Sequence, residues 1–379
     1  MFFKEHKMEE KEVFCLYQEL SQLTDRRRDQ GKRHPIELVV TIIILAVMNN
    51  FNGLRSAADF VKRYSLDLID LFKPNKNRLP SYSTIQRTLN YVDFDELNKI
   101  FFKWTGKNIS IDKEEWISLD GKEIRGSTIS KEDKFINIIS LFFVNKKQVF
   151  MMGKVKKKSN EIPKVQELIK NFPEEGMVYR LDALHCQKKT IEVILSKKSY
   201  YVLEAKNNQK KLLKKIKFIT NMISPISSNI TIEKNRGRIE TRKVTIYKDY
   251  MDLYSFGWTD VTHVIKVERK VVHKNGKISN EIAYFITNLN KDAEYFNKNI
   301  RSHWRIENSL HYIKDVVFKE DHQKLRTGQA PQNMSLIISL VMNIFRKIGC
   351  TNIIQTLRLN SGKIDEMVKL LDIKTLGGI

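Results

Sequence analysis

Two aspartates in this chain close short apolar runs of β-type sequence: Trp116-Ile-Ser-Leu-Asp120 and Met177-Val-Tyr-Arg-Leu-Asp182. A carboxylate at the C-terminal end of a strand projects into whatever site lies at that edge of the sheet. Taken singly, an Asp after a strand also serves as a helix cap or turn former. Two of them on neighbouring strands of one sheet come close enough to share metal ions. Phosphodiester chemistry needs that sharing, because Mg2+ prefers oxygen ligands and two ions about 4 Å apart can activate the attacking oxygen and stabilise the leaving one.

A third carboxylate is expected from a helix lying against the same sheet, and the segment from Arg301 to Lys314 supplies Glu307. At about 100° per residue, His303, Glu307, His311 and Lys314 fall on one face. Ile306, Leu310, Ile313 and Val317 form a separate apolar stripe that would anchor the helix to the core. A surface helix with polar neighbours at i,i+4 has the same pattern. Glu320 and Asp321 compete for the same role, and pattern alone leaves that choice open.

These residues need elements to position them. Residues 1–108 alternate apolar and charged positions at helical spacing, with breaks at Gly31–Pro35, Pro74–Asn77 and Leu79–Ser83, which predicts an all-helical N-terminal domain. Within it the stretch from Asp25 to Pro35 carries Arg26, Arg27, Arg28, Lys32 and Arg33 just before the apolar run Leu38–Met48. It reads either as a solvated charged turn or as a DNA contact. Ser81 or Ser83 could cap a helix that presents Gln86 and Arg87, to solvent or to a DNA groove.

From Trp116 the texture becomes β-type, with runs over Phe135–Val144 and Gln148–Val155 separated like a hairpin by Asn145-Lys-Lys147. A helix near Glu161–Asn171, the strand ending at Asp182, a helix near Cys186–Leu195 and a strand Tyr200–Ala205 follow. Three meandering strands and then β-α-β-α units predict an α/β fold with a mixed sheet flanked by helices, the order of the RNase H-like fold. Residues 109–206 would be the first part of that core. Residues 207–290, Lys-rich with β-type runs around Asn275-Gly276, would be a β-rich insertion. Residues 291–379 would complete the core and add C-terminal helices.

The chain has 379 residues, 41% of them hydrophobic, enough to fill real cores. Lys and Arg number 67 against 44 Asp and Glu, a formal charge of +23, so a polyanionic partner is expected. Charge selects a partner class and says nothing of chemistry. Cys15, Cys186 and Cys350 stand too far apart for a zinc ribbon and suit a reducing cytosol. The N-terminal residues lack the apolar core of a secretory signal, and Leu38–Met48 is shorter than the roughly 20 residues of a membrane span. No membrane is expected as a partner, and the location expected is cytoplasmic and nucleoid-associated.

Leu119-Asp-Gly-Lys-Glu-Ile-Arg-Gly-Ser127, Leu181-Asp-Ala-Leu-His-Cys-Gln187 and His303-Trp-Arg-Ile-Glu-Asn-Ser-Leu-His311, followed by Asp315-Val-Val-Phe-Lys-Glu-Asp321, resemble the H-repeat-associated family of insertion-sequence DDE transposases. Asn235-Arg-Gly-Arg-Ile-Glu-Thr-Arg242 resembles that family's insertion-domain motif, and the Asp25–Pro35 and Pro80–Leu89 segments its N-terminal helices. The resemblance implies an RNase H-like core with Asp120, Asp182 and Glu307 as the DDE triad. It implies metal-dependent cleavage of DNA at the element's ends and strand transfer into target DNA, with two Mg2+ ions and Mn2+ as a substitute. Synapsis of two ends calls for a homodimer.

One departure stands out. Related transposases carry Tyr, Arg and Lys around the third carboxylate, at positions matching Ile300, His303 and Lys314; here only Lys314 is retained. His303 would replace the arginine as a donor, with Arg301 and Arg305 compensating. Trp304 would stack on an unpaired base or fix the helix at the edge of the core. Lys122 and Arg125 beside Asp120, and Arg236, Arg238 and Arg242 on one side of a strand or loop, are candidate phosphate contacts. Two other readings share this sequence: a catalytically silent DNA-binding descendant of a transposase, and an RNase H-like nuclease without strand transfer.

Overall fold

A computed structural model describes residues 15–128, 135–155, 160–235, 237–249, 253–258, 260–301 and 306–371. The chain divides into two units. One comprises residues 1–110, 123–136 and 312–379, the other residues 111–122 and 137–311.

The first unit is built around the helix Ile36–Met48, whose thirteen residues include nine aliphatic side chains and no break. A helix that is apolar all round must be enclosed, and every residue from Leu38 to Met48 is buried. Helices Leu16–Leu20, Leu54–Arg63, Tyr82–Tyr91, Ala330–Lys347 and Ile364–Leu370 pack on it. No helix among the described residues is long and apolar enough to cross a membrane. The segment 312–379, expected as the end of the core, groups with these N-terminal helices.

Ser81 caps helix Tyr82–Tyr91 by accepting from the Thr84 N–H. Its last carbonyls would be orphans in the interior. Asn333, fully buried on helix Ala330–Lys347, donates to the Leu89 and Val92 carbonyls at 3.0 and 2.8 Å and satisfies them.

The second unit holds a nine-stranded sheet: β1 Trp116–Ile124, β2 Ile136–Phe143, β3 Gln148–Val155, β4 Val178–Leu181, β5 Tyr200–Ala205, β6 Ser227–Asn235, β7 Arg238–Lys248, β8 His263–His273 and β9 Ile278–Thr287. Their order is β3-β2-β1-β4-β5-β9-β8-β7-β6. β1, β4 and β5 run parallel, and β5 to β9 and onward to β6 are antiparallel. The first five strands have the RNase H-like order. The β-type residues after position 207 extend this same sheet through β9.

Three features differ from the sequence expectation. β1 continues past Asp120 to Ile124. Helix Lys210–Met222, five of whose thirteen residues are lysine, buries Leu212, Ile216 and Ile219 and exposes Lys210, Lys211, Lys214 and Lys217. β6 is the third, a strand that alternates apolar with polar residues at the sheet's edge.

The Leu119–Ser127 motif also has a packing role. Asp321 accepts the Arg125 N–H at 3.1 Å, and a Cβ on Gly126 would collide with the Gln323 carbonyl oxygen and stand 3.0 Å from that of Asp321. Backbone atoms cannot swing aside as a flexible side chain would. Gly126→Ala is therefore expected to lower stability by about 1–3 kcal/mol in denaturant unfolding. An unchanged midpoint would show that this backbone approach is not tight.

Candidate active site

The sheet register positions the two aspartates. Trp116, Ile117 and Ser118 of β1 pair with Val178, Tyr179 and Arg180 of β4. Two residues further on, that register sets Asp120 level with Asp182, on parallel strands about 4.8 Å apart. Arg180 and Leu181 pair with Val202 and Leu203, which brings Glu204 of β5 to the same level. Paired residues on parallel neighbours share a face, so three carboxylates form a row across β1, β4 and β5.

Asp120, Asp182, Glu204 and Glu307 line one cleft of about 410 Å3, together with Arg180, Lys206, Arg242, Arg269 and Glu281. Asp120 accepts the Gly121 N–H through Oδ1 at 2.9 Å, and its Oδ2 lies 3.1 Å from His311 Nε2. One donor atom each from Asp120, Glu307 and His311 falls within 4.8 Å of the others. Two carboxylate oxygens and an imidazole nitrogen gathered this closely fit a divalent cation.

Glu204 is neutralised by Lys206 at 3.1 Å and Arg180 at 3.9 Å, and the Arg180 guanidinium lies over the Phe285 ring at 4.7 Å. Across the cleft Glu240 holds Arg269 at 2.9 Å and Arg242 at 3.3 Å. The hydrogen bond from Arg269 keeps the Glu240 carboxyl below its ordinary range. Burial pushes the Cys186 thiol up to about 12, so it offers no nucleophile near neutral pH.

Glu307–His311 is a π-helical turn, followed by the short α-helix Tyr312–Val316. Bonds from i to i+5 wind more slowly than those of an α-helix, so the phase changes after Glu307. The buried positions become Ile306, Leu310, Lys314 and Phe318, while Ile313 and Val317 of the expected stripe are only half-buried. The expectation of Lys314 as a phosphate donor is corrected here. Its ammonium donates to Ser335 Oγ at 2.8 Å and to the Ser335 carbonyl at 3.2 Å, and pairs with Glu320 at 3.6 Å. The same pair engages Glu320, the rival third carboxylate, in the helical unit.

Residues 112–344 match the family model described as the transposase DDE domain, and residues 17–105 the model described as DDE_Tnp_1-associated. The chain belongs to the DDE transposase family. The protein YncI of Escherichia coli O157:H7, named as a candidate transposase, is 30% identical over 84% of this chain and 84% of its own. YhhI of E. coli K12, named as an H repeat-associated candidate transposase, is 28% identical over 88% of this chain and 90% of its own. A cryo-electron microscopy structure of a piggyBac transposase synaptic complex with hairpin DNA covers 96% of this chain and 79% of its own, at 12% identity and a TM-score of 0.41. Family membership makes this a DNA transposase that uses divalent metal, and the gathered donors of Asp120, Glu307 and His311 are consistent with that use.

The other expected contacts of this transposase are placed unevenly. His303, Trp304, Arg305 and Arg236 lie outside the described residues. Arg28, Lys32, Arg33 and Arg87 are exposed and Gln86 is half-buried. Arg26 is exposed and pairs with Asp93 and Glu96 at 3.0 and 3.1 Å. Arg27 is not a surface contact: it is buried and serves Asp25, Thr88 and the His34 carbonyl. Arg125 is exposed and Lys122 half-buried.

Arg238 and Arg242 share a face of β7, as expected, and with Arg269, Lys298 and Arg301 they line a second cavity of about 770 Å3. Arg301 pairs with Glu233. Sequence reasoning passed over Glu204, which a count along β5 from the β4 register would have found. It also passed over the exposed lysines of helix Lys210–Met222, whose apolar i,i+4 spacing was the available signal.

Lys314 and Glu320 are both buried, so removing the lysine takes an ammonium away from a carboxylate in the interior. Lys314→Ala is expected to cost about 3–5 kcal/mol in urea unfolding, while joint replacement by Lys314→Met and Glu320→Leu costs far less. Equal losses in both variants would return Lys314 to a surface role.

Proposed function

We propose that this transposase binds the ends of its mobile element, cleaves them, and joins the freed 3′ hydroxyl to target DNA, with Asp120, Asp182 and Glu307 as the metal-binding carboxylates. The observation that carries this reading is the β1–β4 register, which levels Asp120 with Asp182 at the cleft that Glu307 also lines. Residues 1–108, with the exposed Arg28, Lys32, Arg33 and Arg87, would be the end-binding domain. A homodimer would hold the two ends together. Mg2+ would be the working ion, with Mn2+ able to replace it.

Bound at these carboxylates, two such ions supply Lewis-acid stabilisation of the charge that builds on the attacking and leaving oxygens of the scissile phosphate. The chain's own groups divide the remaining work. Arg242 and Arg269, oriented by Glu240, present cations to the strand entering the cleft. Glu204, matched by Arg180 and Lys206, keeps the cleft floor close to neutral. Lys210, Lys211 and Lys214 carry no acidic partner among the described residues, and they follow directly on Lys206 of the cleft. They suit phosphates of a duplex continuing away from the cut.

Purified protein incubated with labelled element-end DNA and Mg2+ should yield cleaved and joined products. Asp120→Ala, Asp182→Ala and Glu307→Gln should each abolish both while leaving end binding largely intact. A triad variant that still cleaves would overturn the assignment; cleavage without joining in the native protein would favour a nuclease.

Replacing Lys210, Lys211 and Lys214 together by Ala should flatten the salt dependence of duplex binding by roughly 0.9 log units for each phosphate no longer neutralised, about 3 in all, similarly for random and element-end DNA. Binding measured by fluorescence anisotropy across a salt series gives that slope. Weakening confined to element-end DNA would mean that the lysines read sequence instead.

A further inference from the structure

The three carboxylates leave His311 without a task, although it reaches the centre of the site. Its side chain is buried, Nε2 is 3.1 Å from Asp120 Oδ2, and it stands four residues after Glu307 on the π-helical turn. We infer that His311 is a nitrogen ligand of the ion held by Asp120 and Glu307, and that it narrows this centre's preference for Mg2+ by letting transition ions, Mn2+ among them, bind relatively better. The inference rests on the carboxylate assignment above and adds a fourth residue and a metal preference to it.

Spacing is the first argument. Two ligands at right angles on an ion with bonds of about 2.1–2.2 Å stand about 3.0 Å apart, and opposite ligands about 4.3 Å. The Asp120–His311 separation of 3.1 Å matches the first, and all three donors lie within 4.8 Å of one another, close to the second. Glu307 is exposed, so rotation of its side chain closes that difference.

Contrast within the same unit is the second. His185, also buried, stands 3.6 Å from Glu161, and among the described residues that pair gathers no third donor. Among the described residues only Asp120, Glu307 and His311 form a three-donor group at this spacing.

Donor chemistry gives the preference. Mg2+ takes oxygen ligands and dehydrates reluctantly, whereas imidazole suits Zn2+, Fe2+, Cu2+ and Ni2+. Mn2+ is itself mainly an oxygen binder but accepts an imidazole more readily than Mg2+ does, so one nitrogen in the donor set costs Mn2+ less than it costs Mg2+. His311 Nδ1 is buried with no hydrogen-bond partner among the described residues. A ligating imidazole ordinarily donates from its second nitrogen, and one that lacks this support binds more weakly.

Pulsed electron paramagnetic resonance on Mn2+ bound to the full-length protein tests this directly. In unlabelled protein the Mn2+ signal should carry 14N modulation, and 15N-histidine labelling should convert it to 15N modulation. His311→Gln should abolish the modulation and His303→Gln should keep it. His311→Gln should also weaken Mn2+ binding, with a smaller change for Mg2+ measured by competition.

The isotope comparison needs no variant, so it decides even if His311→Gln folds poorly. Bound Mn2+ without histidine modulation, modulation that survives His311→Gln, or failure of the protein to bind Mn2+ would each overturn the inference. Normal DNA cleavage by Asp120→Ala would instead sink the carboxylate assignment, so the two failures are separable.

Discussion

Parallel pairing of β1 with β4 is the constraint on which the rest depends. Once Ser118 is registered with Arg180, Asp120 and Asp182 must stand side by side, and β5 adds Glu204 at the same level. Like charges that close repel by about 1–4 kcal/mol per pair, from full to partial exposure. A fold that enforces such a row needs cations nearby. Those in the cleft are fixed: Arg180 is buried against Phe285 and paired with Glu204, while Arg242 and Arg269 are tied to Glu240. Asp120 and Glu307 have no Arg or Lys ion pair among the described residues, and Asp120 faces His311 instead. Asp120 and Glu307 thus differ from Glu204, whose charge Lys206 and Arg180 balance.

The antiparallel strands matter for the same reason. Residues at alternate positions of β7 share a face, so Arg238, Glu240 and Arg242 all turn towards the cavities beside the cleft. An arginine held by a carboxylate loses less freedom on meeting a phosphate than a loose one would, because its orientation is already set. Glu240 therefore serves Arg242 and Arg269 by aiming them, and the β-rich extension becomes one wall of the site.

What could be read from the sequence follows the strength of local signals. The apolar runs leading to Asp120 and Asp182, the Asn145–Lys147 hairpin and the buried helix Ile36–Met48 were legible because apolar runs and turn residues mark them without competition, although β1 runs on past Asp120. β6 was not, since Ser227-Ser-Asn-Ile-Thr-Ile-Glu alternates only weakly and has a neighbour on one side alone. Helix Lys210–Met222 was hidden by its lysines, which read as a charged loop until Leu212, Ile216 and Ile219 are placed on one face. Arg27 looked like its neighbours Arg26 and Arg28, and only the packing of Thr88 and His34 around it separates them.

The site helix shows why one kind of reading has to fail. Every position from Ile306 to Val317 fits an α-helix by composition, and nothing in the residue order announces an i to i+5 turn. That turn is a compromise between two sets of contacts. Glu307 and His311 must both face Asp120, while the residues after them must pack in the helical unit, where Lys314 and Phe318 are buried. A uniform α-helix could keep Glu307 and His311 together, but its apolar stripe would then continue through Ile313 and Val317. The extra residue in the π turn lets the helix satisfy the site first and change its buried face afterwards. The change of face places a lysine in the interior, and the carboxylate that balances it, Glu320, is the one that sequence alone could not separate from Glu307. The ambiguity and the register shift thus have one cause, the unequal demands at the two ends of a short helix.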